Sequence, residues 1–312
     1  MGLDVRRQPI ILMGMHRSGT TMLARLLDQL GLFLGHEVEE NHEAVFFLRL
    51  NDLLLSRAKA TWDHPAPFRD FLKNPELVEM TVRCLRADLL SVKVRRYLGW
   101  WGYLRYGSVT RLDRPWGWKD PRNVFTLPLW LRLFPRARIL YIYRNGVDVA
   151  HSLQVRERAY FAWQKQRLRN KLNRWSPKTR LERVGFRGSF RCLSLEGCFS
   201  LWEEYVAQAE EVLASLVPEH RVIKYEEFLA HPLDHLREIA DFCEIPGVSE
   251  RALRETAALV RPDRGHAFAA TPSLRVFYHQ VKRTPWMIRY GYGEGPTTSD
   301  HRGVSPRRVS AG

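Results

Sequence analysis

The sequence predicts an α/β domain with a central parallel sheet covered by helices. Short apolar or aromatic runs alternate along the chain with segments of helical periodicity, the pattern of strands joined by crossover helices. One run, Pro9-Ile10-Ile11-Leu12-Met13, passes through a glycine-bearing turn into the helical stripe Met22, Leu23, Leu26, Leu27, Leu30. Another, Ile139-Leu140-Tyr141-Ile142-Tyr143, ends in Arg144 and turns at Gly146 into a helix carrying Ser152. With 312 residues, 45% hydrophobic and 12% aromatic, the chain can build one large α/β domain or two small ones around a real core.

Taken in order, strands are expected at 10–14, 117–119, 137–144 and 221–225, with the short run 32–34 as a further candidate. Helices are expected at 20–30, 42–57, 75–97, 124–134, 147–167, 195–217, 232–243 and 249–260. Asn41 reads as the N-cap of the second helix. Asn74-Pro75 reads as an N-cap followed by proline at the first helical position. Leu195, Phe199, Trp202, Tyr205, Val206, Ala209, Val212, Leu213 and Leu216 recur at helical spacing, which marks a core stripe. Residues 1–290 are expected to form the domain. Residues 291–312, rich in Gly, Ser, Thr and Pro, are expected to be a flexible tail.

The first turn, Gly14-Met15-His16-Arg17-Ser18-Gly19-Thr20-Thr21, carries the chemistry. A strand, a glycine-bearing loop and a helix start together aim consecutive N–H groups and the helix dipole at an anion. The spacing of Gly14 and Gly19 matches a Walker A loop, but Thr20 stands where that loop needs lysine. Arg144 leaves the carboxyl end of its strand, where open α/β sheets bind ligands. With Ser152 two turns on, it can grip a second phosphate. A magnesium-dependent ATPase would want an acid at that strand end.

Lys and Arg number 49 against 34 Asp and Glu, a net charge of +15. Such a balance brings affinity for polyanions and suits an anionic cosubstrate. The segment 155–191 is dense in Arg and Lys, which reads as a solvated helix face or the lining of an acceptor cleft. Cys84, Cys192, Cys198 and Cys243 form no CxxC pair, so neither a disulfide framework nor a zinc site is expected. The first strand starts too early for a signal-peptide core, and no apolar run reaches membrane-spanning length. A cytoplasmic location with reduced thiols is expected.

These motifs together resemble the sulfotransferase superfamily, whose donor is 3′-phosphoadenosine 5′-phosphosulfate. The similarity lies in Arg17-Ser18-Gly19-Thr20-Thr21, in the Arg144/Ser152 pair, in Trp118-Lys119-Asp120-Pro121-Arg122, and in Val222-Ile223-Lys224-Tyr225-Glu226-Glu227-Phe228-Leu229 before His231-Pro232. It runs from about residue 9 to residue 245. The resemblance implies a P-loop-kinase-like three-layer fold. It implies that the loop binds the 5′-phosphosulfate, that Arg144 and Ser152 bind the 3′-phosphate, and that Tyr225 lies near the adenine. Arg17, in place of the lysine of cytosolic small-molecule enzymes, is similar to the carbohydrate, tyrosylprotein and bacterial branches. The Arg-Lys-Gly segment of cytosolic members has no clear counterpart; Arg261, Arg264 and Arg302 are the candidates to stand in.

The implied reaction gives a sulfate ester and adenosine 3′,5′-bisphosphate, with no metal expected. Arg17, Lys119 and the loop N–H groups would meet the charge that builds on the leaving phosphate. The acceptor, a hydroxyl on a small molecule, sugar or lipid, needs a general base. Candidates are Glu43 and Glu40, then Glu37, Glu39, His36 and His42. A P-loop nucleotide or small-molecule kinase is a second reading, weakened by Thr20. A basic nucleic-acid-binding protein is a third, without a recognisable motif for it. Acceptor identity and oligomeric state stay open.

Overall fold

In the computed structural model, residues 2–173, 188–216 and 219–294 are described. The central sheet has four strands, all parallel: β1 (Ile10–Met13), β2 (Gly117–Lys119), β3 (Arg138–Tyr143) and β4 (His220–Lys224). Their spatial order is β2-β1-β3-β4. Ile10 pairs with Gly117 on one side and Arg138 on the other, while Ile139 pairs with His220.

Side-chain alternation along the strands builds three layers. Ile11, Met13, Ile139 and Tyr141 face one core, and Ile10, Leu12, Leu140, Ile142 and Ile223 face another. The second core is covered by α1 (Thr20–Gln29), with α9 (Tyr225–Ala230), α10 (Pro232–Phe242) and α11 (Glu250–Ala257). The first, larger core takes α2 (Val45–Arg57), α3 (Ala66–Leu72), α4 (Pro75–Leu90), α5 (Arg95–Tyr106), α6 (Asn123–Leu133), α7 (Gly146–Asn173) and α8 (Leu195–Leu216). It also takes α12 (Pro272–Val281) and α13 (Pro285–Arg289). Trp118 of β2 stacks on Phe47 of α2 at 4.0 Å between ring centroids, so an aromatic contact fixes the edge strand against the helix layer.

The structure departs from the sequence-based expectation in several places. The helix expected over 75–97 ends at Leu90, because Ser91 is extended and its hydroxyl caps a short 3₁₀ turn. Helix resumes at Arg95 and is broken again by Gly99 at φ 73°. A Cβ at Gly99 would lie 2.6 Å from the His36 ring. Residues 32–34 make only a bridge, Phe33 to Trp116, beyond the sheet edge. Asn41 is not an N-cap: α2 starts at Val45, after a turn closed by the Val38–Ala44 bridge. Asn74 does cap α4, accepting from the Leu77 N–H at 3.1 Å. Of the expected tail, Tyr292 is buried and its hydroxyl donates to Glu226 at 2.6 Å, while 295–312 lie outside the described residues.

Candidate active site

The loop between β1 and α1 owes its shape to positive backbone angles at Gly14 (153°), Arg17 (71°) and Gly19 (100°). A Cβ on Gly14 would come 2.2 Å from the Ile142 carbonyl, and one on Gly19 2.5 Å from the Tyr225 ring. Only glycine lets the loop lie this close to β3 and to Tyr225. The buried Ser18 hydroxyl fastens it further, donating toward Met15 O at 2.6 Å and Ile142 O at 3.2 Å. No side chain caps α1, and no acid sits in its first turn. Its leading N–H groups therefore lack intrahelical partners and face the loop's concavity with the positive end of the dipole. Thr20 is buried in this first turn, and Thr21 follows it.

The second element stands beside the loop. Arg144 leaves the end of β3, and the next residue, Asn145, caps α7 by accepting from the Val147 N–H at 2.9 Å. The Arg144 guanidinium lies over the Tyr225 ring at 4.7 Å and donates to Asp148 at 3.1 Å and to the Arg264 carbonyl at 2.7 Å. Its Nε is buried and has no hydrogen-bond partner among the described residues. Ser152, two turns into α7, accepts from Arg17 Nε at 2.9 Å, which ties the two motifs into one site. Arg156, Arg144 and Arg264 surround Arg17, and burial followed by their charge lowers its pKa. Arg17 in the loop and Arg144 beside it offer guanidinium groups to a polyanion, and the charge of Arg156 and Arg264 is felt at Arg17. Asp148 also accepts from the Ala267 and Phe268 N–H groups at 3.2 and 2.7 Å, which holds the segment carrying Arg264 against α7. Of the C-terminal arginines, Arg264 is therefore the one beside Arg144; Arg302 lies outside the described residues.

The third element is an ion-pair network under the loop. Lys119, at the end of β2, is buried and donates to Glu43 at 2.8 Å, to the Asn41 carbonyl at 3.0 Å and to Thr21 at 3.2 Å. Arg122 donates to the other Glu43 oxygen at 3.2 Å and to Asp120 at 2.8 Å, and it also pairs with Asp52. Burial, then the charge of Asp120, pushes the Glu43 carboxyl up to about 7, although Lys119 and Arg122 pull the other way. A carboxylate with that proton affinity can take a proton near neutral pH.

Among the candidate bases, Glu43 alone joins this network. Glu40 is exposed, and its main-chain carbonyl, accepting from Arg25, is what engages the fold. The Glu39 carboxylate accepts from the Asn41 N–H at 2.7 Å and so shapes the turn. Glu37 lies 4.0 Å from Arg96, His36 packs on Gly99, and His42 lies 3.3 Å from Asp28.

Several residues at the site escaped the sequence reading. Asn51 is wholly buried and donates to Asp120 at 2.8 Å and to Asn123 at 2.9 Å; its carbonyl accepts from Thr126 and Trp130. An amide on the apolar face of α2, between Leu50 and Leu54, was the available signal. Arg156 of the basic segment turns inward over Trp62 at 4.9 Å and pairs with buried Glu157. His16 packs edge-on to Trp62 at 4.9 Å, and its Nε2 is buried without a hydrogen-bond partner among the described residues. Burial, reinforced by the nearby cations, keeps its pKa well below the usual histidine range. The imidazole is therefore neutral.

A family model described as "Sulfotransferase family" matches residues 9–250. No curated protein matches the chain. Among solved structures, the chain is similar to a sulfotransferase domain from the curacin biosynthetic pathway, with 16% identity and a TM-score of 0.45 over 90% of this chain and 98% of that one. It is also similar to sulfotransferase STF9 from Mycobacterium avium, at 17% identity and TM-score 0.39, over 88% and 76% of the two chains. The sulfotransferase domain of the Synechococcus PCC 7002 olefin synthase stands at 16% and 0.40, over 84% and 85%.

Proposed function

The chain belongs to the sulfotransferase family, and from that premise we propose that it transfers a sulfuryl group from 3′-phosphoadenosine 5′-phosphosulfate to an acceptor hydroxyl in the cytoplasm. The observation that carries the donor assignment is the Arg17–Ser152 hydrogen bond at 2.9 Å. It joins a phosphate loop to a second cationic element, and a donor phosphorylated at both 3′ and 5′ needs both. The residues fit such a group. Gly19 leaves room for the loop to approach Tyr225, and the buried Arg144 Nε lacks a partner among the described residues. Arg144 pairs with Asp148 and Arg156 with Glu157, whereas Arg17 and Arg264 have no carboxylate partner among the described residues.

In this reading Arg144 and Ser152 hold the 3′-phosphate, with Arg264 closing over it. Ser18, Gly19, Thr20 and Thr21 hold the 5′ end, and Tyr225 flanks the base. The donor supplies the sulfuryl group; the chain's own residues position it and absorb charge. Arg17 and Lys119 stabilise negative charge as it develops on the leaving side. Glu43 takes the acceptor's proton, and Lys119 and Arg122 orient its two oxygens.

Thermal unfolding with adenosine 3′,5′-bisphosphate against ADP tests the reading. A ligand confined to the folded state adds about 2.7 kcal/mol at a hundredfold excess over its dissociation constant. The bisphosphate should raise the melting temperature much more than ADP does. Equal shifts, or none, would overturn the donor assignment.

A further inference from the structure

We propose that the outer face of α5 is a docking surface for an anionic lipid bilayer. Trp100, Trp101 and Leu104 lie on this helix at adjacent and one-turn spacing and are 54%, 82% and 61% exposed. Leu90 and Val92, in the turn packed against α5, are 53% and 59% exposed and extend the apolar face. A pair of adjacent tryptophans left this open in a chain that buries Trp116, Trp118, Trp130 and Trp202 is not a core deficit. Contiguous exposed apolar surface of this kind marks an interaction site.

Charge selects the occupant. Of the Lys and Arg in residues 91–115, Lys93, Arg96 and Arg105 lie within 4.0 Å of Asp88, Glu37 and Asp113, which leaves Arg95, Arg111 and Arg114 without a carboxylate partner among the described residues. The Arg95 guanidinium lies over the Trp100 ring at 5.0 Å, so a cation and an indole are presented together. A second copy of this chain would set these like charges against themselves across a two-fold axis. A bilayer bearing anionic headgroups meets both needs. Indoles settle at the headgroup level, aliphatic side chains enter the acyl boundary, and arginines remain with the phosphates. The face lies beside the acceptor side of the site, since the Arg96 carbonyl accepts from the Glu37 N–H at 3.2 Å and Gly99 backs His36. It does not depend on the transferase reading.

The test is co-sedimentation of the full chain with phosphatidylcholine vesicles, with and without phosphatidylglycerol, together with quenching of tryptophan emission by brominated acyl chains. Protein should pellet with the anionic vesicles and be quenched there. Trp100→Ser/Trp101→Ser should lower partitioning by about tenfold or more, since burial of these rings adds to the electrostatic attraction. Trp101→Ser alone, at the more exposed position, serves where the double variant fails to fold, and should lower partitioning in the same direction. Three results would overturn the proposal. The parent could remain in the supernatant at low salt. The tryptophan variant could pellet equally, leaving net charge as the whole cause. Lipid-free protein could sediment as a dimer that the variant dissociates, which would make the face a contact between copies.

Discussion

Glu43 pairs with both Lys119 and Arg122, and Arg122 also pairs with Asp120. Burial and Asp120 together keep its carboxyl protonated up to about 7, against an ordinary value of 4.5. As general base it must be ionised, so kcat/KM should rise with pH and level off above about 7. Glu43→Gln keeps the size and removes the proton acceptor, and it should lower turnover by ~10²–10⁴-fold. The pH-dependent limb should vanish with it. A variant that keeps both the parental rate and the parental profile would move the base elsewhere. Linkage gives a second readout. The folded state holds the Glu43 proton more tightly than the unfolded chain. Its contribution to stability is therefore full below 4.5 and is lost as pH rises through about 7. Urea unfolding across that window should show parental stability declining relative to Glu43→Gln.

The loop between β1 and α1 is an element whose shape is set by what its glycines omit. Gly19→Ala would hold alanine at φ 100° with its Cβ 2.5 Å from the Tyr225 ring. Alanine at positive φ destabilises by more than ~1 kcal/mol, and here the ring or the loop must also shift. Binding of adenosine 3′,5′-bisphosphate should weaken more than stability does. Unchanged affinity would mean that the loop's approach to Tyr225 is not part of the site. Helices α2 and α6 offer a different test. Asn51 joins Asp120, Asn123, Thr126 and Trp130 in one buried network. Removing it leaves buried groups unpaired at about 1–3 kcal/mol each. Asn51→Ala should lower the urea midpoint with little change in slope. It should also lower activity, because Asp120 then loses one of the contacts that steady Arg122 beside Glu43. A midpoint equal to the parent's would show that the network adds nothing to the fold.

Across the whole molecule, the sheet order brings the ends of β1, β2 and β3 to one edge, where Gly14, Lys119 and Arg144 emerge. Much of this was legible in the sequence. Parallel strands buried on both faces are near-continuous apolar runs, so β1, β2 and β3 appear within a residue or so of their true bounds. Glycine spacing exposed the loop because few other backbones place an anion at a helix start. Legibility failed where tertiary contact overrides local pattern. Ser91 interrupts the stretch 75–97, whose apolar spacing is helical, and α5 (Arg95–Tyr106) runs on past its expected end. The helices α3, α12 and α13 have 7, 10 and 5 residues, too short for a helical period to stand out in the sequence. Glu40 and Glu43 look alike locally. Lys119, 76 residues away in the chain, reaches one of them and not the other.

If Arg144 grips a 3′-phosphate, this site is one for a 3′-phosphorylated nucleotide. Calorimetric titration of adenosine 3′,5′-bisphosphate and of ADP into the parent and Arg144→Ala tests it most directly. Arg144 also pairs with buried Asp148 and lies over Tyr225, so urea unfolding of the variant accompanies the titration and separates lost binding from lost stability. The parent should prefer the bisphosphate. Arg144→Ala should lose about 1.5–3 kcal/mol of bisphosphate binding, the worth of a charge-assisted contact, and little of the weaker ADP binding. A folded variant that binds the bisphosphate with parental affinity, or a parent that binds both nucleotides alike, would contradict it.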